Sequence, residues 1–172
     1  MTHPPSGFAA PPSLRRAAAL LAMLLLAAGL LLLQGCAGPR GGPPVAGSMS
    51  AEQSNDAAIQ ALGLVGTPYR YGGNTPAGGF DCSGLIGYVF RQVGGPATPR
   101  TVARMAGAGR PVPIADIRTG DLVLFGAFIP THAGIYVGEG RFVHAPSTGG
   151  EVRLDRLDGI YWSRQPVRVR RM

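Results

Sequence analysis

At Asp121 the hydrophobic pattern changes period, and that change limits the chain to folds with both helices and a sheet. Downstream, Leu122–Phe125, His132–Val137, Arg141–Ala145, Glu151–Leu154 and Val167–Arg170 read as short strands separated by glycine turns. Upstream the spacing is helical. Ser50 is placed to cap a helix over about 51–65, in which Ala58, Ile59, Leu62 and Val65 recur at helical spacing. Residues 66–79 are dense in glycine, proline and threonine and read as loop. From Asp81 to Val93 the residues Leu85, Ile86, Val89, Phe90 and Val93 fall on one helix face, and Gly94-Gly95 ends it. Thr98–Ala106 reads as a second short helix. Helices first and antiparallel strands after predict an α+β domain, with N-terminal helices packed on a sheet of about five strands.

The first 50 residues stand apart from that domain. Arg15-Arg16 precede a continuous apolar run, Ala17 to Leu33, and Leu33-Gln34-Gly35-Cys36 follows. A charged stub, an apolar stretch and a small residue before the cut make a secretory leader. The run falls short of the roughly 20 apolar residues that a spanning helix needs. Leu-Gln-Gly-Cys resembles the bacterial lipobox, which implies cleavage before Cys36 and a diacylglycerol on its thiol. Gln34 departs from the usual alanine or serine. Residues 1–35 are therefore read as a lipoprotein signal peptide, 36–50 as the lipidated cysteine and a Gly/Pro/Ser-rich tether, and 51–172 as the folded domain.

Two cysteines exclude a disulfide-dense scaffold, and three histidines without any Cys-x-x-Cys exclude zinc ribbons and fingers. The formal net charge is +7, and all 16 basic residues are arginine. That balance suits nucleic acid, anionic lipid or an acidic polymer without choosing among them.

With Cys36 lipidated, Cys82 is the one free thiol of the exported domain. It stands in the first turn of the second long helix, behind Asp81 as N-cap. Unsatisfied N–H groups and the positive end of the helix dipole favour a thiolate there. Gly84 and Gly87 cost such a helix about 1 kcal/mol each relative to alanine, so their presence signals close approach of backbone or ligand. A thiol nucleophile needs a base. The domain offers His132 and His144, both among the strands. A three-residue loop at Gly138-Glu139-Gly140 would pair Val137 with Arg141 and set His144 opposite Gly134. Both imidazoles would then share one face; a two-residue loop would separate them unless a bulge intervened. Cysteine, base and orienting residue form the logic of thiol proteases. A metal site built on Cys82, His132, His144 and an acid has no ligand spacing to support it.

Six stretches in order carry a resemblance over about residues 55–170: Tyr69-Arg70-Tyr71-Gly72-Gly73, Asp81-Cys82-Ser83-Gly84, Pro99-Arg100-Thr101, Arg118 to Phe125, His132 to Gly138, and Phe142-Val143-His144-Ala145. Together they resemble the NlpC-type cell-wall cysteine peptidases, whose fold is papain-like. The resemblance implies hydrolysis of an amide bond in bacterial peptidoglycan stem peptides, with no cofactor or metal. It assigns Cys82 as nucleophile, His132 as general base and His144 as the residue orienting it. Tyr69 matches a tyrosine that aids the oxyanion, and Asp81 and Ser83 match positions that recognise the stem peptide. Arg100 matches a position without an assigned role, and Ala133 replaces the usual valine. The implied partners are stem peptides and, through Cys36, a membrane. No nucleic acid is implied, and a monomer is expected. The expected location is the bacterial envelope, on the outer membrane facing the periplasm, since Ala37 is not the aspartate associated with inner-membrane retention. Acyl transfer or amidase chemistry on the same fold, and a catalytically idle wall-binding lipoprotein, are the rival readings.

Overall fold

The structure is a computed structural model that describes residues 48–147 and 150–172. The leader, Cys36 and most of the tether fall outside the described residues. Three helices come first: α1 (Ala51–Leu62), α2 (Cys82–Gln92) and the short α3 (Val102–Met105). Two-residue strands β1 (Asn74–Thr75) and β2 (Gly79–Phe80) form a small antiparallel hairpin between α1 and α2. Six further strands make one sheet: β3 (Arg110–Val112), β4 (Leu122–Phe125), β5 (His132–Gly138), β6 (Arg141–His144), β7 (Arg153–Arg156) and β8 (Val167–Arg171). Their order is β3-β8-β4-β5-β6-β7, and every neighbouring pair is antiparallel.

Ser50 caps α1 as expected: its hydroxyl accepts from the Gln53 N–H at 3.1 Å, and the Gln53 side chain accepts from the Ser50 N–H at 2.9 Å. The helix ends at Leu62, short of residue 65, and its buried face is Ala57, Ala58 and Ala61. Of the apolar stripe seen in the sequence, Ile59, Leu62 and Val65 are exposed. Alanines suit the inner face because α1 lies against α2, β5 and β6. Helix α2 follows its expected bounds, with Leu85, Ile86, Val89 and Phe90 fully buried.

The sheet has one strand more than the sequence suggested. Arg110-Pro111-Val112 is too short to show alternation, yet it pairs with β8 at the sheet edge, where a proline costs no ladder bond. Strand β7 runs two residues later than the expected 151–154, and Glu151 instead bridges to Pro68.

Two apolar layers hold the sheet. Leu122, Leu124, Ala133, Ile135, Val143 and Ala145 pack with the helices, while Val123, Phe125, Tyr136, Phe142 and Val169 pack with Trp162. Asp121, nearly fully buried, ties β8 to the start of β4: Arg171 Nε and Nη2 donate to its two oxygens at 2.7 and 2.6 Å.

Candidate active site

Helix α2 begins at the sulfur. Asp81 caps it, accepting from the Gly84 N–H at 2.7 Å on Oδ1 and from the Gly72 N–H at 3.0 Å on Oδ2. Arg100, without a role in the sequence reading, clamps this carboxylate in a two-pronged pair, Nη1 to Oδ1 at 2.6 Å and Nη2 to Oδ2 at 2.9 Å. The Ser83 hydroxyl also accepts from Arg100 Nη1 and lies 2.7 Å from the Arg100 carbonyl. Burial works to raise the Asp81 carboxyl, but Arg100, Gly84 and Ser83 outweigh it and hold it below the usual carboxylate range. Tyr69, Asp81, Cys82, Ser83 and Arg100 line one cleft of about 640 Å³.

Helix α2 packs on β5, and the backbone N–H groups of Ser83, Ala133 and Cys82 lie close enough to the Cys82 sulfur to favour its charged form. Ala133 follows His132, so the thiol lies against the His132 end of β5. Burial pushes the Cys82 thiol above its ordinary value, the Asp81 charge pushes the same way, and the three N–H donors offset this only in part. The helix start favours a thiolate, as expected, but desolvation and the neighbouring Asp81 carboxylate outweigh that local effect and increase the need for a base.

The two histidines, the candidate base and its orienting partner, are set by the β5–β6 hairpin. Glu139 and Gly140, both at positive φ, make a two-residue turn pairing Gly138 with Arg141. That turn alone would split the histidines between faces. A register shift between Tyr136 and Gly138 restores the pairing Tyr136↔Phe142 and Ile135↔Val143. Gly134 then lies against His144: a Cβ there would stand 3.2 Å from that of His144 and 2.8 Å from the Val143 carbonyl oxygen. The expected juxtaposition is thus reached through a shorter loop and a bulge.

His132 Nε2 lies 2.8 Å from His144 Nδ1, and His144 Nε2 lies 3.0 Å from Asp155 Oδ2. The same carboxylate oxygen accepts from the Trp162 indole N–H at 2.7 Å and from Arg153 Nη2 at 2.8 Å and Nε at 3.2 Å. Burial works to raise the Asp155 carboxyl, but Trp162, Arg153 and His144 hold it below its ordinary value. An ionised carboxylate only accepts, which fixes the tautomers in turn. His144 donates from Nε2 and accepts on Nδ1; His132 donates from Nε2, leaving its Nδ1 lone pair open. Burial holds His132 down at about 3, with the His144 and Arg153 charges acting the same way. Burial likewise holds His144 down at about 4 against the pull of Asp155. Trp162 covers the pair, stacked on His132 at 5.3 Å between ring centroids and edge-on to His144 at 5.1 Å.

Asp155 and Trp162 were not singled out in the sequence. Asp155 shares its strand parity with Arg153, the partner of His144, a signal that needs the β7 register. Tyr69 keeps its proton: burial first, then the Cys82 and Asp81 charges, raise its phenol above the ordinary value.

The neutral imidazoles make folding sensitive to acid. Unfolded histidines take up protons near pH 6.5, while these two stay neutral in the native state down to about 4 and about 3. Between those values the unfolded chain binds more protons, so stability falls as pH falls. The slope reaches about 1.4 kcal/mol per pH unit for each histidine. Urea midpoints measured from pH 7 to pH 4.5 are expected to drop steadily below pH 6.5, and a flat profile would refute the buried neutral pair.

The sequence pattern of the NlpC/P60 family matches residues 66–171. The chain is 40% identical over 113 residues (63% of this chain, 42% of the relative) to the murein DD-endopeptidase MepH of Escherichia coli (strain K12). It is 42% identical over 115 residues (65% of this chain, 28% of the relative) to the gamma-DL-glutamyl hydrolase of Bacillus subtilis (strain 168). It therefore spans less than half the length of either. Among solved structures, it resembles the NlpC/p60 domain of the peptidoglycan hydrolase SagA with a TM-score of 0.60 and 31% identity, covering 67% of this chain and 97% of that one. NlpC2 from Trichomonas vaginalis gives a TM-score of 0.63 at 29% identity, covering 72% and 48%. A cysteine opening a helix against a histidine-bearing antiparallel sheet, together with a match running from the loop before α2 to the end of β8, makes this chain a member of the NlpC/P60 family.

Proposed function

We propose that this chain is a peptidoglycan endopeptidase that cuts an amide bond of cell-wall stem peptides with Cys82 as nucleophile. The observation that carries the reading is the chain of hydrogen bonds from His132 through His144 to Asp155, on a strand whose next residue, Ala133, turns its backbone toward the α2 thiol. His132 Nδ1 takes the thiol proton as sulfur attacks the amide carbonyl. Backbone N–H groups at the start of α2, with the Tyr69 hydroxyl, stabilise the oxyanion. The intermediate collapses to a thioester, and the leaving nitrogen departs with the proton from His132. Water, deprotonated by the same imidazole, then releases the acyl half as a carboxylate and restores the thiol. His144 holds His132 in the tautomer this needs. Asp81 and Ser83 bind the stem peptide on the acyl side, in the cleft they share with Cys82. Relatives named as murein and glutamyl hydrolases support this substrate class.

The same reading places lipid on Cys36 after removal of residues 1–35, and tethers residues 51–172 through residues 36–50 to the outer membrane, facing the periplasm. Labelled palmitate is expected to enter the wild-type chain and not Cys36→Ala.

Digestion of purified sacculi tests the activity. The wild-type protein is expected to release muropeptides with newly freed amino groups, whose masses report the bond cut. Cys82→Ala is expected to release none. Wild-type and buffer digests with the same profile would overturn the proposal.

A further inference from the structure

Thr131 stands between two recesses. On the sulfur side is the cleft lined by Asp81, Cys82, Ser83 and Arg100; on the imidazole side a second cavity of about 470 Å³ is lined by Phe125, His132, Arg153, Tyr161, Trp162 and Gln165, and Thr131 belongs to both walls. The first already has its assignment. The second has none.

We propose that the imidazole-side cavity receives the amine-bearing half of the cleaved peptide, and that Arg153 binds a free carboxylate on it. The proposal rests on the endopeptidase reading above, because acid catalysis sets the direction. The leaving nitrogen takes its proton from His132, so the residue that carries this nitrogen must lie on the His132 side. The cavity that His132 lines is on that side.

Arg153 is built for an anion there. Among the described residues lining this cavity it is the only Arg or Lys, and none of them is Asp or Glu. Its Nε and Nη2 are fixed on Asp155 Oδ2, while Nη1 has no partner among the described residues. About half of the side chain is exposed. A guanidinium pinned on one edge with donors open on the other loses little side-chain entropy when a carboxylate docks. Phe125, Tyr161 and Trp162 supply apolar wall for an aliphatic stem beside that carboxylate. The site therefore selects a leaving amino acid that is long, partly apolar and anionic. The Arg153 charge also acts on both buried imidazoles, so a bound carboxylate would strengthen His132 as a base once substrate is seated.

Two stem peptides that differ only at the leaving residue, free carboxylate against carboxamide, test this. Affinity is read by calorimetry on full-length Cys82→Ala, with and without Arg153→Gln, and turnover on the wild-type protein. The carboxylate peptide is expected to bind about tenfold tighter than the carboxamide, the size of one charge-assisted hydrogen bond. In Arg153→Gln that ratio is expected to fall to about one. If Arg153 only steadies Asp155, the substitution weakens both peptides equally and leaves the ratio intact, which overturns the proposal. A ratio of one before substitution overturns it as well, as does binding of neither peptide. Cleavage of both peptides at equal rates would leave the endopeptidase reading standing while this site falls. Carboxylate-dependent binding without cleavage of either would do the reverse.

Discussion

Replacing His132 with alanine is expected to lower kcat/KM by about 10³- to 10⁴-fold on a stem peptide, the upper part of the range that a positioned general base contributes. The steps beyond it should matter progressively less, because each acts only through its neighbour. His144→Ala removes the acceptor for His132 Nε2, 2.8 Å away, and frees the ring to rotate or change tautomer; a loss of about 10²-fold is expected. His144→Asn returns an amide oxygen to that N–H and should recover most of it. Asp155→Asn should cost only about tenfold. All of the donors on this carboxylate converge on one oxygen, Oδ2. An asparagine carbonyl can occupy that position and keep the tautomers, losing charge alone. Asp155→Leu offers no acceptor to His144, Trp162 or Arg153, and should approach the His144→Ala loss. The measurement is kcat/KM from pH 4 to 9 for each variant. Equal losses in Asp155→Asn and Asp155→Leu would mean that the carboxylate's charge, and not the tautomer it imposes, is what the site uses.

The parts of this site that were legible in the sequence are those set by local chemistry. Asp81 reads as an N-cap because it precedes an apolar helical stripe, and α2 begins and ends where that stripe does. The juxtaposition of His132 and His144 was legible for a partly different reason. A three-residue loop and a two-residue turn followed by a bulge both bring position 144 opposite 134, so the outcome survived an error in the route. Asp155 was hidden because the connection between β6 and β7 carries no marker of where pairing resumes. A shift of two residues in β7 moved it from beyond the expected strand into the relay. The outward Ile59, Leu62 and Val65 misled in another way: helix α1 approaches the sheet closely, so alanines, not the larger apolar residues, fill its inner face. The thiol shows the same limit. A helix start favours thiolate from its own dipole, but burial in the folded domain and the Asp81 charge act against it, and the burial cannot be read from the local sequence.

Gly84→Ala is expected to be the most damaging conservative change in the protein. On propensity alone it should stabilise, since alanine in a helix is worth about 1 kcal/mol over glycine. Sterics decide otherwise. A Cβ on Gly84 would overlap the Gly73 carbonyl oxygen and stand 3.0 Å from the Gly73 carbonyl carbon and 3.2 Å from the Asn74 Cα. These neighbours are backbone, so no side-chain rotation relieves the overlap, and the β1–β2 hairpin must move off α2. The displaced carbonyl is the one that accepts from the Asp81 N–H at 3.1 Å and from Arg100 Nη2 at 3.3 Å. Overpacking together with those losses should leave a net destabilisation of about 2–4 kcal/mol. Thermal unfolding should fall on the order of 10 °C. Activity should fall further than stability requires, because Asp81 and the Gly72–Gly73 turn flank the thiol. Gly87→Ala, one turn on in the same helix, provides the contrast. Its Cβ would meet only side-chain ends, Thr98 Oγ1 at 3.3 Å and Arg91 Nη1 at 3.4 Å. Both can give way, so the helix gain is kept and a change between zero and about 1 kcal/mol of stabilisation is expected. Equal melting temperatures for the two variants would show that the hairpin does not press on α2 as described, and with it would go the reason a glycine stands two residues after Cys82.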